Sequence, residues 1–302
     1  MSFPIAVGGS TAEYGGGPRP SFLPTVGTFR AKGSPTSTFR NRARYSGPMK
    51  VAAYQAPLLT AGSAEVIDLI QERVVWCESE RVSILCCPEA ILGGLADYSE
   101  NPARFAIRTD GGHLSKVLAP LASDTVTSIV GFTELADGQL YNAAAVFHRG
   151  RVAGLYRKLH PAIRRSVYSA GSLSPVFRVG EVTFGIVICN DSNYFEPARE
   201  MATQGARALF VPTNNGLPNK RAYTELVQEA RAADIARAVE NHVWVIRADV
   251  AGEDGELMSY GSSGIVDPDG KVVQEASLRS TDFLVADIET TPQSGFSTSV
   301  VV

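Results

Sequence analysis

The chain has 302 residues, 44% of them hydrophobic, and a formal net charge of -3 from 28 Lys and Arg against 31 Asp and Glu. This content is ample for a buried core in one large domain, and the balanced charge without a long basic run argues against binding to nucleic acid. The longest apolar stretches are well short of the ~20 residues of a membrane-spanning helix, so we expect no membrane partner and a small molecule as ligand.

The first 48 residues differ in composition from the rest of the chain. Glycine and proline are frequent at 15–20, and Ser, Thr and Arg are frequent from there to Ser46. We expect 1–48 to be a disordered or loosely attached extension, with Met49 as the biological start and a functional tail as the alternative. The domain itself is predicted over 49–290, followed by a tail over 291–302.

Strand-like and helix-like segments alternate from Val51 onward. Short apolar runs predict strands at 49–55, 82–87, 128–132, 143–148, 152–156, 183–189, 209–212, 243–248, 264–267 and 283–287. Helices are predicted from an N-cap at Ser63 to about Ser79, from about Pro197 to Gly205, and from about Arg221 to Asn241, with a turn at 267–270. The alternation predicts an α/β domain in which helices cover sheets.

Three of the predicted strands end beside a reactive side chain. Glu89 follows the strand at 82–87, Lys158 follows the strand at 152–156, and Cys189 ends the strand at 183–189. A thiol can attack a carbonyl or nitrile carbon, a carboxylate can take and return its proton, and an ammonium can stabilise the oxyanion. We therefore predict that these side chains converge, with Glu89 at the rim of the sheet and Lys158 lowering the pKa of the thiol.

Each of these residues also has a structural interpretation. Cys189 could be a buried structural cysteine, Glu89 a surface or helix-capping glutamate, and Lys158 a solvated lysine at a strand end. His160 could serve as the base in a Cys-His dyad, because it lies two residues after Lys158. We favour a place for His160 in the wall of the pocket or directly behind that wall.

The remaining cysteines, Cys77, Cys86 and Cys87, show neither the spacing of metal ligands nor the density of a disulfide scaffold. Cys86 and Cys87 are neighbours on a predicted strand and should face opposite sides of it. We expect reduced thiols in a cytoplasmic protein. The chemistry of the three reactive residues requires neither a metal nor an organic cofactor.

Several short stretches between Lys50 and Ile288 resemble, in order and spacing, the nitrilase or carbon-nitrogen hydrolase superfamily. They are 87–90, 130–134, 141–147, 156–161, 189–191 with Glu196, Pro197 and Arg199, 236–241, and 263–270. The resemblance implies a four-layer αββα sandwich. It also implies that Glu89 is the general base and acid, Lys158 the oxyanion stabiliser and Cys189 the nucleophile of a covalent reaction through a thioester.

The resemblance implies further roles around these three residues. The backbone N–H of Asn190 would share the oxyanion with Lys158, whereas Glu134 and Arg237 would be structural. A homodimer or higher homo-oligomer is usual in the family. The residues expected to contact the substrate are Asn190, His160, Asn193, Tyr194, Asn214 and Arg164.

The chain departs from the family where many members carry a second glutamate shortly after the lysine. No Asp or Glu occurs between Leu159 and Gly180, and Arg164 and Arg165 lie there instead. The auxiliary carboxylate is therefore missing or comes from elsewhere. The arginines could hold an anionic group of the substrate, or they could be solvated surface arginines.

The residues after the cysteine bear on the substrate. Cys189-Asn190-Asp191 resembles amidases and N-carbamoyl amino acid hydrolases more than the aromatic-Glu-Asn sequence of true nitrilases, so an amide or ureide is expected. The stretch 158–161 does resemble nitrilases, so a nitrile remains open. An acyltransferase, or a non-catalytic binding protein that retained the fold, would also be compatible with these residues.

Overall fold

The computed structural model describes residues 47–218 and 224–289. In these ranges the strands are β1 (Met49–Pro57), β2 (Ile84–Cys86), β3 (Ile107–Arg108), β4 (Thr127–Ala136), β5 (Gln139–His148), β6 (Arg151–Arg157), β7 (Val176–Val179), β8 (Val182–Ile186), β9 (Ala208–Pro212), β10 (Leu217–Pro218), β11 (Trp244–Ala248), β12 (Val250–Asp254), β13 (Leu257–Ser259), β14 (Gly264–Val266), β15 (Val272–Glu275) and β16 (Asp282–Ile288). The α-helices are α1 (Val66–Ser79), α2 (His113–Leu118), α3 (Ala198–Thr203) and α4 (Glu225–Asn241).

The larger sheet has the strand order β10-β13-β12-β1-β2-β4-β5-β6, with β16 added beside β1 and β3 beside β4. Strands β1, β2 and β4 are mutually parallel, and β4, β5 and β6 form an antiparallel meander. Strand β6 consequently runs in the same direction as β2. The carboxyl ends of β2 and β6, which precede Glu89 and Lys158, therefore lie at the same edge of the sheet.

The smaller sheet has the order β15-β14-β11-β9-β8-β7. Strands β8, β9 and β11 are parallel, with α3 connecting β8 to β9 and α4 connecting β9 to β11. Parallel neighbours need such crossovers, which place helices on one face of the sheet. The segments that follow these three strands carry Cys189, Asn214 and Asp249, and they meet at one edge.

The two sheets pack face to face across a shared apolar layer. Ile84 and Val146 of the larger sheet belong to the same buried cluster as Phe184 and Ile186 of the smaller sheet. A second cluster lies between the larger sheet and helices α1 and α2, whereas α3 and α4 cover the smaller sheet. The layers therefore follow the order helix, sheet, sheet, helix. The predicted αββα sandwich is confirmed.

The two neighbouring cysteines of the larger sheet lie on its opposite faces. Cys86 packs in the cluster between the sheets, and Cys87 packs in the cluster beneath α1 and α2. This arrangement agrees with the alternation expected along a strand. The two thiols are consequently separated by the sheet itself.

Some predicted boundaries differ from the structure. Helix α1 begins at Val66 without a side-chain cap, and the hydroxyl of Ser63 bonds the Glu65 carboxylate instead of a backbone amide. The strand predicted to reach Cys189 ends at Ile186, because the chain turns before the cysteine. Predictions on 1–46, on the start of the last helix near Arg221 and on 290–302 lie outside the described residues.

The sequence pattern does not predict helix α2 or several short strands. β3, β7, β10, β12, β13 and β15 have two to five residues each. β7 and β15, for example, contain no buried residue and lie at the two edges of the smaller sheet, so they carry no continuous apolar run. No helix in the part of the chain that the structure describes is long and apolar enough to cross a membrane.

Candidate active site

A cavity of about 210 Å³ lies at the edge where the segments after β2, β6 and β8 meet. Glu89, Lys158 and Cys189 all line it. The structure thus brings together the three reactive side chains that the sequence singles out. Polar neighbours from the loop after β9, including Asn214 and Asn215, complete the inner wall.

Glu89 and Lys158 form a buried ion pair. Lys158 Nζ lies 2.6 Å from Glu89 Oε1, and the two side chains are only 4% and 2% exposed. Asn142 Nδ2 donates to the same oxygen at 2.6 Å, and the backbone N–H of Asn214 donates to Oε2 at 3.0 Å. Glu89 lies just beyond β2 at the edge of the sheet, as expected, and its carboxylate is buried there. A buried carboxylate persists when it is paired and hydrogen-bonded in this way.

The backbone around Glu89 joins the two sheets. Glu89 N–H donates to the carbonyl of Thr213 at 3.2 Å, and Asn214 Nδ2 donates to the carbonyl of Glu89 at 3.2 Å. Gly131 of β4 passes directly beneath this segment, where a Cβ would lie 2.7 Å from Glu89 Cα. Glu89 is therefore held between β4 on one side and the loop after β9 on the other.

Cys189 opens a short 3-10 turn that spans Cys189–Asn193. Its φ of 44° is left-handed, which is costly for a residue with a Cβ and is tolerated only where the surroundings impose it. The hydroxyl of Ser192 donates to the carbonyl of Cys189 at 2.8 Å and closes the turn. Cys189 is also the least buried of the four free cysteines, so its sulfur is the accessible one.

The thiol of Cys189 is protonated in the resting structure near neutral pH. Burial and then the Glu89 carboxylate raise the pKa of Cys189 to about 12, although Lys158 and Arg247 act in the opposite direction. Lys158 thus lowers the thiol pKa as expected, but burial and Glu89 outweigh its effect. The pKa of Lys158, which burial alone would lower, is raised on balance by Glu89. A base must therefore remove the thiol proton at the moment of reaction.

Asp191 connects the segment after β6 to the Cys189 turn. It is fully buried and accepts the His160 N–H at 2.8 Å, the Tyr156 hydroxyl at 2.7 Å and the Ile188 N–H at 3.1 Å. Burial raises the pKa of Asp191, and Lys158 and the three donors oppose this effect. Because Lys158 lies between Tyr156 and His160 in sequence, Asp191 fixes the position of the ammonium relative to the thiol.

Two arginines attach the Cys189 turn to helix α4. Arg247, 1% exposed, pairs with Asp234 of α4 at 2.6 Å and donates to the hydroxyl of Ser192 at 2.9 Å. Arg237 of α4 donates to the carbonyls of Ser192 and Tyr194 at 3.1 and 2.6 Å. Charged groups, and not apolar packing on the smaller sheet, therefore hold the Cys189 turn against α4.

The residues expected to contact the substrate divide into two groups. Asn190, Asn193 and Asn214 line the cavity. His160, Tyr194 and Arg164 are not among its lining residues. The His160 and Tyr194 rings stack on each other with centroids 3.8 Å apart, and Arg164 is exposed. His160 thus lies behind the cavity wall, where its backbone bonds Asp191 and the cavity residue Asn190, and Arg164 does not reach the cavity.

Two carboxylates from other parts of the chain line the cavity, Asp97 and Glu229. Asp97 accepts the Ser166 hydroxyl at 3.0 Å and the Val167 N–H at 2.7 Å, so it holds the segment in which the second glutamate of the family is missing. Glu134 does not line the cavity and instead forms a bidentate pair with Arg157 at 2.7 and 2.8 Å. Among the described residues, no group of three or more His, Cys, Asp and Glu could hold a metal ion.

Four residues in or beside the site are not predicted from the sequence: Asn142, Asn215, Arg247 and Asp249. Arg247 and Asp249 could be predicted from the sequence, because they are charged residues inside the apolar run 243–250. Charged residues in a buried strand must be paired. Asn215 follows the predicted strand at 209–212 and could have been noted as a strand-end residue. Asn142 lies within β5 and gives no local signal.

Comparison with known proteins agrees with this fold. The carbon-nitrogen hydrolase family model matches residues 50–292. A nitrilase of Pyrococcus abyssi is 34% identical over 63% of this chain and 70% of its own length, and an (R)-stereoselective amidase of a Pseudomonas species is 31% identical over 64% and 68%. A solved carbon-nitrogen hydrolase from Helicobacter pylori superposes with a TM-score of 0.71 at 22% identity, covering 81% of this chain and 90% of that one.

The chain therefore belongs to the carbon-nitrogen hydrolase family, and the resemblance inferred from its sequence is confirmed. It is a hydrolytic enzyme of that class.

Proposed function

We propose that the enzyme hydrolyses an amide C–N bond of a small molecule through a thioester on Cys189, with Glu89 as general base and acid and Lys158 as oxyanion stabiliser. The observation that carries the proposal is the buried Glu89–Lys158 pair in the same cavity as the strained, accessible Cys189. Similarity to an amidase supports the amide. Similarity to a nitrilase keeps a nitrile as an outcome of the test.

The hydrogen bonds of Glu89 indicate which oxygen acts as the base. Oε1 accepts from both Asn142 and Lys158, whereas Oε2 accepts from the N–H of Asn214. Oε2 therefore has more capacity to accept a further proton. We assign the transfer of the Cys189 proton to Oε2, and this transfer accompanies attack of the sulfur on the carbonyl carbon because the resting thiol is protonated.

The negative charge that forms on the carbonyl oxygen requires donors on the opposite side of the carbon. Lys158 has three N–H bonds and uses one on Glu89, so others remain for the oxyanion. The N–H of Asn190 lies in the first turn of the 3-10 segment, where amides have no partner inside the helix. Together they form a site for the oxyanion.

The reaction then proceeds in two balanced halves. The C–N bond breaks, the acyl group stays on Sγ as a thioester, and Glu89 returns its proton to the departing amine. A water molecule next gives a proton to Glu89 and adds to the thioester carbon. Collapse of this second intermediate breaks the C–S bond, releases the carboxylic acid and restores the protonated thiol.

The test is a panel of short amides, ureides and nitriles, read by ammonia release, with mass spectrometry of the protein during turnover. We expect ammonia from amides and an acyl adduct on Cys189. Cys189→Ala should abolish turnover, and Cys189→Ser should be nearly inactive, because a hydroxyl is far less acidic than a thiol. Unchanged turnover in Cys189→Ala would refute the mechanism, and acyl transfer to an amine in place of water would show an acyltransferase.

Two wider features of the enzyme are part of this proposal. The four cysteines are free, which fits a reducing compartment such as the cytoplasm. We also propose a homo-oligomer, because Tyr194, Phe195 and Val239 near α3 and α4 are 44% to 48% exposed. Sedimentation of the full chain tests the oligomer, and a monomer at all concentrations would contradict it.

A further inference from the structure

The side-chain amide of Asn215 faces the sulfur of Cys189. Its Oδ1 lies 4.0 Å from Sγ, which is within the range of a hydrogen bond that involves sulfur. Asn215 follows β9 on the loop that also carries Asn214, and it lines the cavity. An acceptor oxygen thus lies beside the reacting atom, on a residue that the proposed mechanism does not use.

Asp249 fixes which end of the Asn215 amide points at the sulfur. Asn215 Nδ2 donates to Asp249 Oδ2 and its backbone N–H donates to Oδ1, both at 3.0 Å. The same carboxylate accepts the Val250 N–H at 2.8 Å and the N–H and hydroxyl of Ser262 at 3.0 and 2.6 Å. A rotation of the amide by half a turn would place its oxygen against a carboxylate that can only accept. Oδ1 must therefore face Cys189.

The ionised state of Asp249 follows from the same contacts. The carboxyl is fully buried, and burial raises its pKa, while the hydrogen bonds from Ser262, Asn215 and Val250 oppose that effect. Four of the five donors to the two oxygens are N–H groups that cannot accept, and only the Ser262 hydroxyl could accept from a protonated carboxyl, so these contacts favour the ionised form. The orientation of Asn215 is thus imposed by a charge that lies outside the cavity lining.

The acceptor on Asn215 meets different donors as the proposed reaction proceeds. In the resting enzyme the donor is the thiol of Cys189. After the sulfur has bonded to the carbonyl carbon, the scissile nitrogen shares that carbon and lies two bonds from Sγ. Because Oδ1 is 4.0 Å from Sγ, an N–H on that nitrogen can reach it at the usual distance of about 3 Å.

We infer that Asn215 is a specificity-determining residue that binds the N–H of the scissile nitrogen and thereby selects amides over esters. In the tetrahedral intermediate, the nitrogen directs its N–H at Asn215 and its lone pair at the protonated Glu89. An ester has an oxygen in this place and offers Asn215 no donor, so two acceptors face each other. The inference rests on the proposed function, because it assumes a scissile C–N bond at Cys189.

The test compares two substrates on one preparation of each variant. The probes are the straight-chain amide that the wild type hydrolyses fastest, from acetamide to hexanamide, and the methyl ester of the same acid. The ratio of kcat/KM for amide and ester does not depend on the fraction of active enzyme. Asn215→Ala is expected to lower this ratio by about five- to tenfold, the factor for one neutral hydrogen bond.

Two further variants separate the orientation of the amide from general loosening of the loop. Asp249→Asn allows the side-chain amide of Asn215 to rotate and should also lower the ratio of kcat/KM for amide and ester. This variant takes the place of Asn215→Ala in the test if Asn215→Ala fails to fold. Ser259→Ala removes a buried hydroxyl close to this cluster, and that hydroxyl bonds the carbonyl of Val250 and the N–H of Gly261 rather than Asn215 or Asp249. The amide-to-ester ratio of this control variant should equal that of the wild type even if its free energy of unfolding falls.

An unchanged ratio in Asn215→Ala and Asp249→Asn would overturn the inference. An equal fall in Ser259→Ala would overturn it too, because loss of rigidity would then explain the result. Failure of the proposed function is a separate observation: the wild type would hydrolyse no amide and would leave no acyl group on Cys189.

Discussion

Replacement of Asp191 by asparagine tests whether this carboxylate holds the site together. The substitution keeps the shape of the side chain but replaces one oxygen with an NH2 group. Oδ2 accepts two donors, from Tyr156 and Ile188, and Oδ1 accepts the N–H of His160. The asparagine oxygen should therefore take the side with two donors, and its NH2 should face the His160 N–H, which is also a donor.

The expected loss follows from these contacts. One buried N–H loses its acceptor, at a cost of about 1 to 3 kcal/mol, and the hydrogen bonds that remain lose the contribution of the charge, about 1 kcal/mol each. Relief from burying an ionised carboxylate offsets part of this, since burial raises the pKa of Asp191. We expect the free energy of unfolding to fall by about 2 to 4 kcal/mol, and kcat to fall at least about tenfold because Lys158 is displaced.

Urea unfolding followed by the fluorescence of the two tryptophans measures the loss. Tyr156→Phe removes one of the three donors to Asp191, and its free energy of unfolding should lie between those of the wild type and Asp191→Asn. Asp110→Asn is the control, because this aspartate is exposed and its ion pair with Arg108 contributes little. A free energy of unfolding for Asp191→Asn as close to the wild type as that of the control would refute the reasoning.

The loss of unfolding free energy in Asp191→Asn should depend on pH in a predictable direction. A carboxyl whose folded-state pKa is raised favours the folded state at low pH, and this contribution is lost as the pH rises through the folded pKa. Asparagine does not titrate. The difference in unfolding free energy between the wild type and Asp191→Asn should therefore be larger near pH 4, close to the ordinary aspartate pKa of 3.8, than at pH 7, and the opposite trend would contradict the raised pKa.

Three other predictions concern the catalytic groups and their support. Lys158→Met should lower kcat by about 10²- to 10³-fold, and Lys158→Arg should not restore it, because a planar guanidinium does not fit the place of a compact ammonium; turnover at saturating substrate measures both. Iodoacetamide should alkylate Cys189 faster than the buried cysteines. The rate of alkylation of Cys189 should rise about tenfold per pH unit from pH 7 to 10, since the thiol pKa is about 12. A plateau in this rate near pH 8 would contradict the raised pKa. Gly131→Ala should reduce both stability and turnover, because a Cβ would lie 2.6 Å from Ala90 N and 2.7 Å from Glu89 Cα; wild-type values for both would show that this strand can move aside.

The framework of the protein is predictable because its central strands are buried on both faces and carry continuous apolar runs. Polar residues at the ends of such runs then stand out, as Glu89, Lys158 and Cys189 do. The exact end of a strand is harder to predict. The apolar run before Cys189 continues through Val187 and Ile188, yet the strand stops at Ile186. Asp191 and Ser192 close the turn locally, and their side chains are held by Tyr156 and Arg247, which are distant in sequence.

The partners of the reactive residues depend on sheet register and therefore escape local reasoning. Asn142 binds Glu89 only because β5 lies between β4 and β6 in the register observed. The charge of Arg247 predicts a buried partner, but its identity as Asp234 follows from the packing of α4 on the smaller sheet. His160 is adjacent to the site in sequence, yet its ring turns away to stack on Tyr194.

The candidate active site is divided between the two sheets. Glu89 and Lys158 follow strands of the larger sheet, and Cys189 follows a strand of the smaller sheet. The distance between base and thiol is thus set largely by the thickness of the apolar layer between the sheets, to which Val146 and Ile186 belong. A displacement of about 1 Å can cost about 10²-fold in rate. Variation at interior aliphatic positions, remote from any substrate, should therefore tune turnover in this enzyme as effectively as variation in the pocket.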